Sequence, residues 1–189
     1  MNESKMKNFI NYFTYKRAVW LAPLFYLLHI IEEAVFGFHI FMNKYRGWNT
    51  NMLQFLIMNA IIMIVYLILI IIVTIYPNRV TVFFQLTGLL AAQFFNAFFH
   101  LYWTILFGEY CPGLITGIVL YIPFNICLVW IAYKEEYITK TSGVVLFVLG
   151  ATLMILFSIE GLAVLVLFGS LITAIIIVLL YYIKTRKSN

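Results

Sequence analysis

NMLQFLIMNAIIMIVYLILIIIVTIY, residues Asn51–Tyr76, contains no charged side chain. It is longer than the ~20 apolar residues that carry an α-helix across the ~30 Å hydrocarbon core of a bilayer. A backbone in lipid must satisfy its own hydrogen bonds, so the run reads as a transmembrane helix. Outward from it lie five further apolar runs: Ala18–Met42, Val80–Phe107, Pro112–Tyr133, Val144–Ile159 and Leu162–Ile183. The whole chain of 189 residues is 65% hydrophobic and 10% charged, with a mean hydropathy of +1.02. Soluble domains average about 45–50% apolar and about 25% charged residues, which excludes that class. The expected fold is all-α, a polytopic membrane helical bundle of about six transmembrane helices. One membrane domain spans 18–183, between an amphipathic interfacial segment at 1–17 and a basic tail at 184–189.

The net charge of +5 invites a nucleic-acid reading, but the cations sit at chain ends and in short loops, with no basic stripe along a helix. They read instead as topology signals that meet lipid headgroups. With six spans, Lys5, Lys7, Lys16, Arg17, Arg79, Lys134, Lys140, Lys184, Arg186 and Lys187 fall on one side, and only Lys44 and Arg46 on the other. Both termini are therefore expected in the cytoplasm. The last two spans are separated only by Ser158-Ile159-Glu160-Gly161, so residues 143–183 form either a tight hairpin or one long helix, and the charge bias favours the hairpin. Cys111 and Cys127 lie at opposite ends of one expected helix, ~24 Å apart, too far to bridge.

Against this apolar background, His29-Ile30-Ile31-Glu32-Glu33 stands out. A central acid in a spanning helix costs ~2.5–3.5 kcal/mol on the insertion scale, so the pair is a penalty of roughly 5–7 kcal/mol that a proton, a cation or a fixed partner must offset. On a helical wheel, Tyr26, His29, Glu32, Glu33 and His39 share an arc of about 140°. Gln85, Gln93, Asn96, His100 and Thr104 share one of about 100° on the third span. Measured inward from the outer ends of their spans, His29, Glu32, Glu33, Asn96 and His100 lie at a common depth of roughly 12–21 Å. His39, nearer the outer end, is expected to meet interfacial water. Trp48, Tyr45 and Tyr110 are expected to anchor the outer interface. At the start of the fourth span, Pro112 is ordinary for a first helical turn. The functional expectation there is that Gly113 admits a close backbone approach, while free N–H groups and Thr116 face an anionic group of a substrate.

His29-x-x-Glu32-Glu33, then Asn96-x-x-x-His100, then Pro112-Gly113-x-x-Thr116, resembles the HXXEE-domain family of small multi-pass membrane proteins, over about residues 20–135. The resemblance implies an active site among the motif residues and a bacterial plasma membrane location, but no reaction.

Two carboxylates and two imidazoles suit a divalent cation such as zinc, iron or manganese, with His29, Glu32, Glu33 and His100 as the candidate ligands. The catalytic set is then Glu32, Glu33, His29, Asn96 and His100, and the substrate-binding set Thr116, Gly113, Tyr26 and Gln93. A carboxylate not used for ligation serves as general base, and Asn96 orients the substrate. Such an enzyme acts on a lipid or another hydrophobic small molecule, with hydrolysis, isomerisation and acyl transfer all open. Metal-free acid–base chemistry uses the same groups. An ion- or proton-coupled transporter or sensor, and a structural or partner-binding protein held together by the polar residues, are the alternatives from other classes.

Overall fold

The computed structural model describes residues 13–158 and is all-helical there. Five helices are long and apolar enough to cross a membrane: α1 (Tyr15–Val35), α3 (Met52–Ile75), α4 (Arg79–Phe107), α5 (Leu114–Lys134) and α6 (Lys140–Ser158). They match the first five apolar runs. The sixth run, the turn after Ser158, the basic tail and most of the N-terminal interfacial segment lie outside the described residues.

Local chemistry sets the boundaries. Asn51 caps α3 in a reciprocal box with Gln54, and Asn78 does the same for α4 with Thr81, so each chain reversal ends on a side chain that satisfies free N–H groups. The first span is shorter than the apolar run, which extends to Met42. Gly37 adopts φ +76°, a left-handed conformation that favours glycine, and turns the chain into a separate short helix, α2 (Phe38–Arg46). Hydrophobicity could not mark this break, because Phe38, Phe41 and Met42 are buried against the bundle as spanning residues would be.

Helix α4 packs against α3, α5 and α6. Small residues permit the closest approaches: a Cβ on Gly117 of α5 would lie 3.1 Å from Ala97 of α4, and one on Gly150 of α6 would lie 2.9 Å from Leu90. Polar side chains join the helices as well. Tyr15 Oη donates to Gln85 at 2.9 Å, Gln93 Nε2 to the Ala22 carbonyl at 3.0 Å, and Asn125 Nδ2 to Gln93 Oε1 at 3.1 Å. The outward faces are apolar; on α3 they include Ile57, Ile61, Ile64 and Ile71. A surface of that kind suits hydrocarbon rather than water.

One end of the bundle carries α2 and the α4–α5 turn. Lys44 Nζ donates to Glu109 at 2.5 Å, Tyr45 Oη donates to the same carboxylate, and Arg46 Nη2 donates to the Ser158 carbonyl at 3.0 Å. At the opposite end, Tyr15 N donates to Glu135 and Arg79 Nε to the Glu136 carbonyl. Two stretches depart from α-geometry. Leu90–Phe95 in α4 and Gly117–Tyr121 in α5 are π-helical, and the two pack against each other. The wide turn in α5 lies just before Pro123, whose ring would clash with the carbonyl of residue 119 in a regular helix. No residue type accounts for the one in α4.

Candidate metal centre

Glu33 lies on α1 one turn beyond His29, and its Oε1 is 3.5 Å from His29 Nε2 and 3.4 Å from His100 Nε2. The three residues are 4%, 1% and 0% exposed, so the contact is shut away from bulk water. Asn96, on the same face of α4 as His100, places its Nδ2 3.1 Å from His29 Nε2 and 3.3 Å from His100 Nε2. With the amide nitrogen as donor, both Nε2 atoms accept, and the tautomer that matches this carries its proton on Nδ1. The supports agree. His29 Nδ1 is 2.8 Å from Thr116 Oγ1, and His100 Nδ1 is 3.3 Å from Cys111 Sγ. Burial pushes the Cys111 thiol well above its ordinary pKa, with Glu33 and Glu32 adding to the effect, so that sulfur is a neutral partner.

Two imidazole lone pairs and one carboxylate oxygen thus converge, and these ligand atoms all lie within 4.8 Å of one another. Among the described residues this group can hold a metal ion. Bonds of about 2.0–2.2 Å place tetrahedral ligand atoms roughly 3.3–3.6 Å apart, which brackets the separations of 3.4 and 3.5 Å found here. His29, Glu33 and His100 therefore supply three candidate ligand atoms, with the Asn96 amide beside both imidazoles.

Glu32 does something else. One of its oxygens accepts from Gly113 N at 3.0 Å and Ile115 N at 3.1 Å, and also from Tyr110 Oη; the other accepts from Thr116 N at 2.7 Å. The carboxylate closes the N-terminus of α5, satisfying free N–H groups and meeting the positive end of the helix dipole. This corrects two expectations at once. Glu32 is not among the converging ligand atoms, and the helix-start N–H groups expected to meet a substrate anion already hold a side chain of the protein. Tyr110, expected as an interfacial anchor, serves the same carboxylate. Burial and that hydrogen bond raise its pKa, so it remains a donor.

Gly113 has a third role. With φ +101° it takes a conformation that L side chains rarely adopt, and a Cβ there would lie 2.6 Å from His100 Cε1 and 2.8 Å from His29 Cε1. The α4–α5 turn forms the floor on which both imidazoles rest. Tyr121 packs its ring on His29 with centroids 4.6 Å apart, and Phe38 of α2 covers His100 at 5.2 Å.

The remaining candidates lie elsewhere. Tyr26 Oη donates to Asn59 Oδ1 at 2.6 Å, and Gln93 is bonded to Ala22 and Asn125, so the hydrogen bonds of both go to neighbouring helices. His39 sits on α2, partly exposed, with its Nδ1 buried and unpartnered among the described residues. Thr104 accepts from Cys111 N at 3.0 Å and so shapes the turn. Cys111, Phe38 and Tyr121 were not singled out from the sequence. Cys111 and Phe38 depend on folded-back turns, and Tyr121 on a π-helical turn that shifts the helical phase.

No curated protein and no solved structure matches the chain. The family model described as "Protein of unknown function with HXXEE motif" matches residues 20–128, more than half of the sequence. That range contains His29, Glu32, Glu33, Asn96, His100, Gly113 and Thr116, the residues that build the centre and its floor. The chain belongs to the HXXEE family, whose function is unknown.

Proposed function

We propose that this protein is an integral membrane enzyme of the plasma membrane, in which His29, Glu33 and His100 hold a divalent cation and act on a lipid or another apolar substrate. The observation that carries the reading is the convergence of two Nε2 atoms and one carboxylate oxygen within 4.8 Å of one another, with both Nδ1 atoms engaged from behind. A bound cation supplies Lewis acidity in such a site. The chain's own groups do the rest. Asn96 turns its amide away from the two lone pairs and offers its oxygen or nitrogen to the substrate, and Glu33 and the imidazoles are the groups that hold a proton. Thr116 and Cys111 fix the rings.

Support for an apolar substrate comes from what surrounds the open side. Asn96 and Thr116 are partly exposed where the centre itself is not, and exposed Ile115 and Val119 flank Thr116 on α5. That doorway meets hydrocarbon rather than water. The charge bias supports α2 and the centre lying toward the non-cytoplasmic side. Arg17, Arg79, Lys134 and Lys140 gather at the opposite end of the bundle, whereas Lys44 and Arg46 stand at this one.

The test is elemental analysis of protein purified in detergent under metal-replete conditions. About one equivalent of zinc, iron or manganese is expected, falling to background in the His29→Leu/His100→Leu variant. A metal-free wild type overturns the cation and leaves acid–base chemistry by Glu33 and the imidazoles as the reading to pursue.

A further inference from the structure

Below the metal centre, toward the middle of the bundle, three buried polar atoms have no hydrogen-bond partner among the described residues: Tyr66 Oη on α3, and Tyr121 Oη and Asn125 Oδ1 on α5. Their residues are 6%, 0% and 0% exposed. Comparable groups nearby are satisfied, since Tyr26 Oη donates to Asn59 and the other end of Asn125 donates to Gln93 Oε1 and to the Tyr121 carbonyl. An unpaired polar atom is costly in a membrane interior, where no bulk water can reach it.

These three atoms belong to one neighbourhood. The Tyr66 ring meets that of Tyr26 at 5.1 Å, edge to face, and Tyr26 lies one turn before His29 on α1. Asn125 follows Tyr121 by one helical turn, and the Tyr121 ring itself packs on His29. The group therefore adjoins the centre from beneath, on the side away from α2.

We propose that Tyr66, Tyr121 and Asn125 line a polar chamber under the metal centre that takes a neutral hydroxyl group. Two phenols donate and one amide oxygen accepts. A hydroxyl accepts two hydrogen bonds and donates one, which satisfies all three atoms. An anion lacks the proton that Asn125 Oδ1 requires, and an ammonium group offers no acceptor to the phenols. The hydroxyl has two possible sources, a water molecule or the alcohol end of an apolar molecule. The chamber stands whether or not His29, Glu33 and His100 hold a cation.

Melting of the purified protein, with metal removed by chelation, separates an occupied chamber from orphaned atoms. If an occupant bonds the phenols, Tyr66→Phe and Tyr121→Phe each lower the melting temperature by about 2–4 °C, comparable to Tyr26→Phe, which loses a bond visible in the structure. A rise, or no change, in both variants overturns the chamber, because deleting an unbonded hydroxyl only removes its desolvation cost. Radiolytic hydroxyl-radical labelling then identifies the source. Labelling of Tyr66 and Tyr121 above that of Tyr15, whose hydroxyl is held by Gln85, and unchanged by dodecanol, identifies water. A several-fold loss on adding dodecanol identifies an alcohol site. Labelling no greater than that of Tyr15, with or without the alcohol, counts against the chamber. Because these readouts involve no metal, a failed elemental analysis and a failed chamber are distinguishable results.

Discussion

Glu32 and Glu33 are neighbours in the chain, yet the regions around them are opposite in character. Around Glu32, at the start of α5, every contact is a donor: three backbone N–H groups and the Tyr110 phenol. Around Glu33 the nearest contacts are two imidazole nitrogens whose lone pairs face it. The first carboxylate is already held by donors, and the second stands among atoms that can serve as metal ligands. Two equal penalties in the sequence thus meet two environments, one of helix-start N–H groups and one of two imidazoles in a group that can hold a metal ion.

Substitutions can break or sharpen that contrast. The largest expected effect is at Glu32. Glu32→Ala orphans three backbone N–H groups, one of them buried and two partly so, and should cost about 2–4 kcal/mol of stability, read from denaturant unfolding in detergent. A loss below about 1 kcal/mol would remove the distinction between the two acids. Next is Gly113→Ala, which combines a left-handed φ with a clash against both imidazoles; about 2–3 kcal/mol of destabilisation is expected, together with weaker metal uptake. Thr116→Val removes the hydroxyl behind His29 while leaving the backbone donor to Glu32. Metal affinity should fall about 10–100-fold in competition with a chelator, with little change in melting. Glu33→Leu should eliminate metal uptake and change stability by less than about 1 kcal/mol, since it removes a buried acid that completes no helix end. The smallest effect is at Lys44→Ala. The hydrogen bond from Lys44, and then that from Tyr45, hold the Glu109 carboxyl below its usual range, but both side chains are exposed at the surface. The sign is a stabilisation present above the ordinary carboxylate pKa and lost as pH falls through the lowered one. Water and salt screen it, and no measurable shift in the unfolding midpoint is expected at any pH.

Much of the architecture was legible because transmembrane helices announce themselves by length and apolarity. The Asn51–Tyr76 run and its four described neighbours became helices, three of the five within about two residues of the expected bounds, while the first stops at Val35 rather than Met42. The convergence of His29, Glu33, Asn96 and His100 followed from depth and wheel position. The division of labour within Glu32-Glu33 was not legible, since a helical wheel puts both acids on one face and says nothing of which neighbour turns its N–H groups toward them. Gly113 and Thr116 were noticed for the right reason, close approach and free N–H groups, but assigned to a substrate where the chain supplies its own carboxylate. The break at Gly37 and the π-helical turns escaped for a different reason: both depend on backbone geometry that tertiary packing selects.

The Glu32 clamp also bears on how the bundle can move. Sliding α1 along α5 by a single residue's rise, about 1.5 Å, would strip the clamp of its donors and in the same stroke draw Glu33 away from both imidazoles. Piston-like displacement of the first helix is therefore resisted twice over.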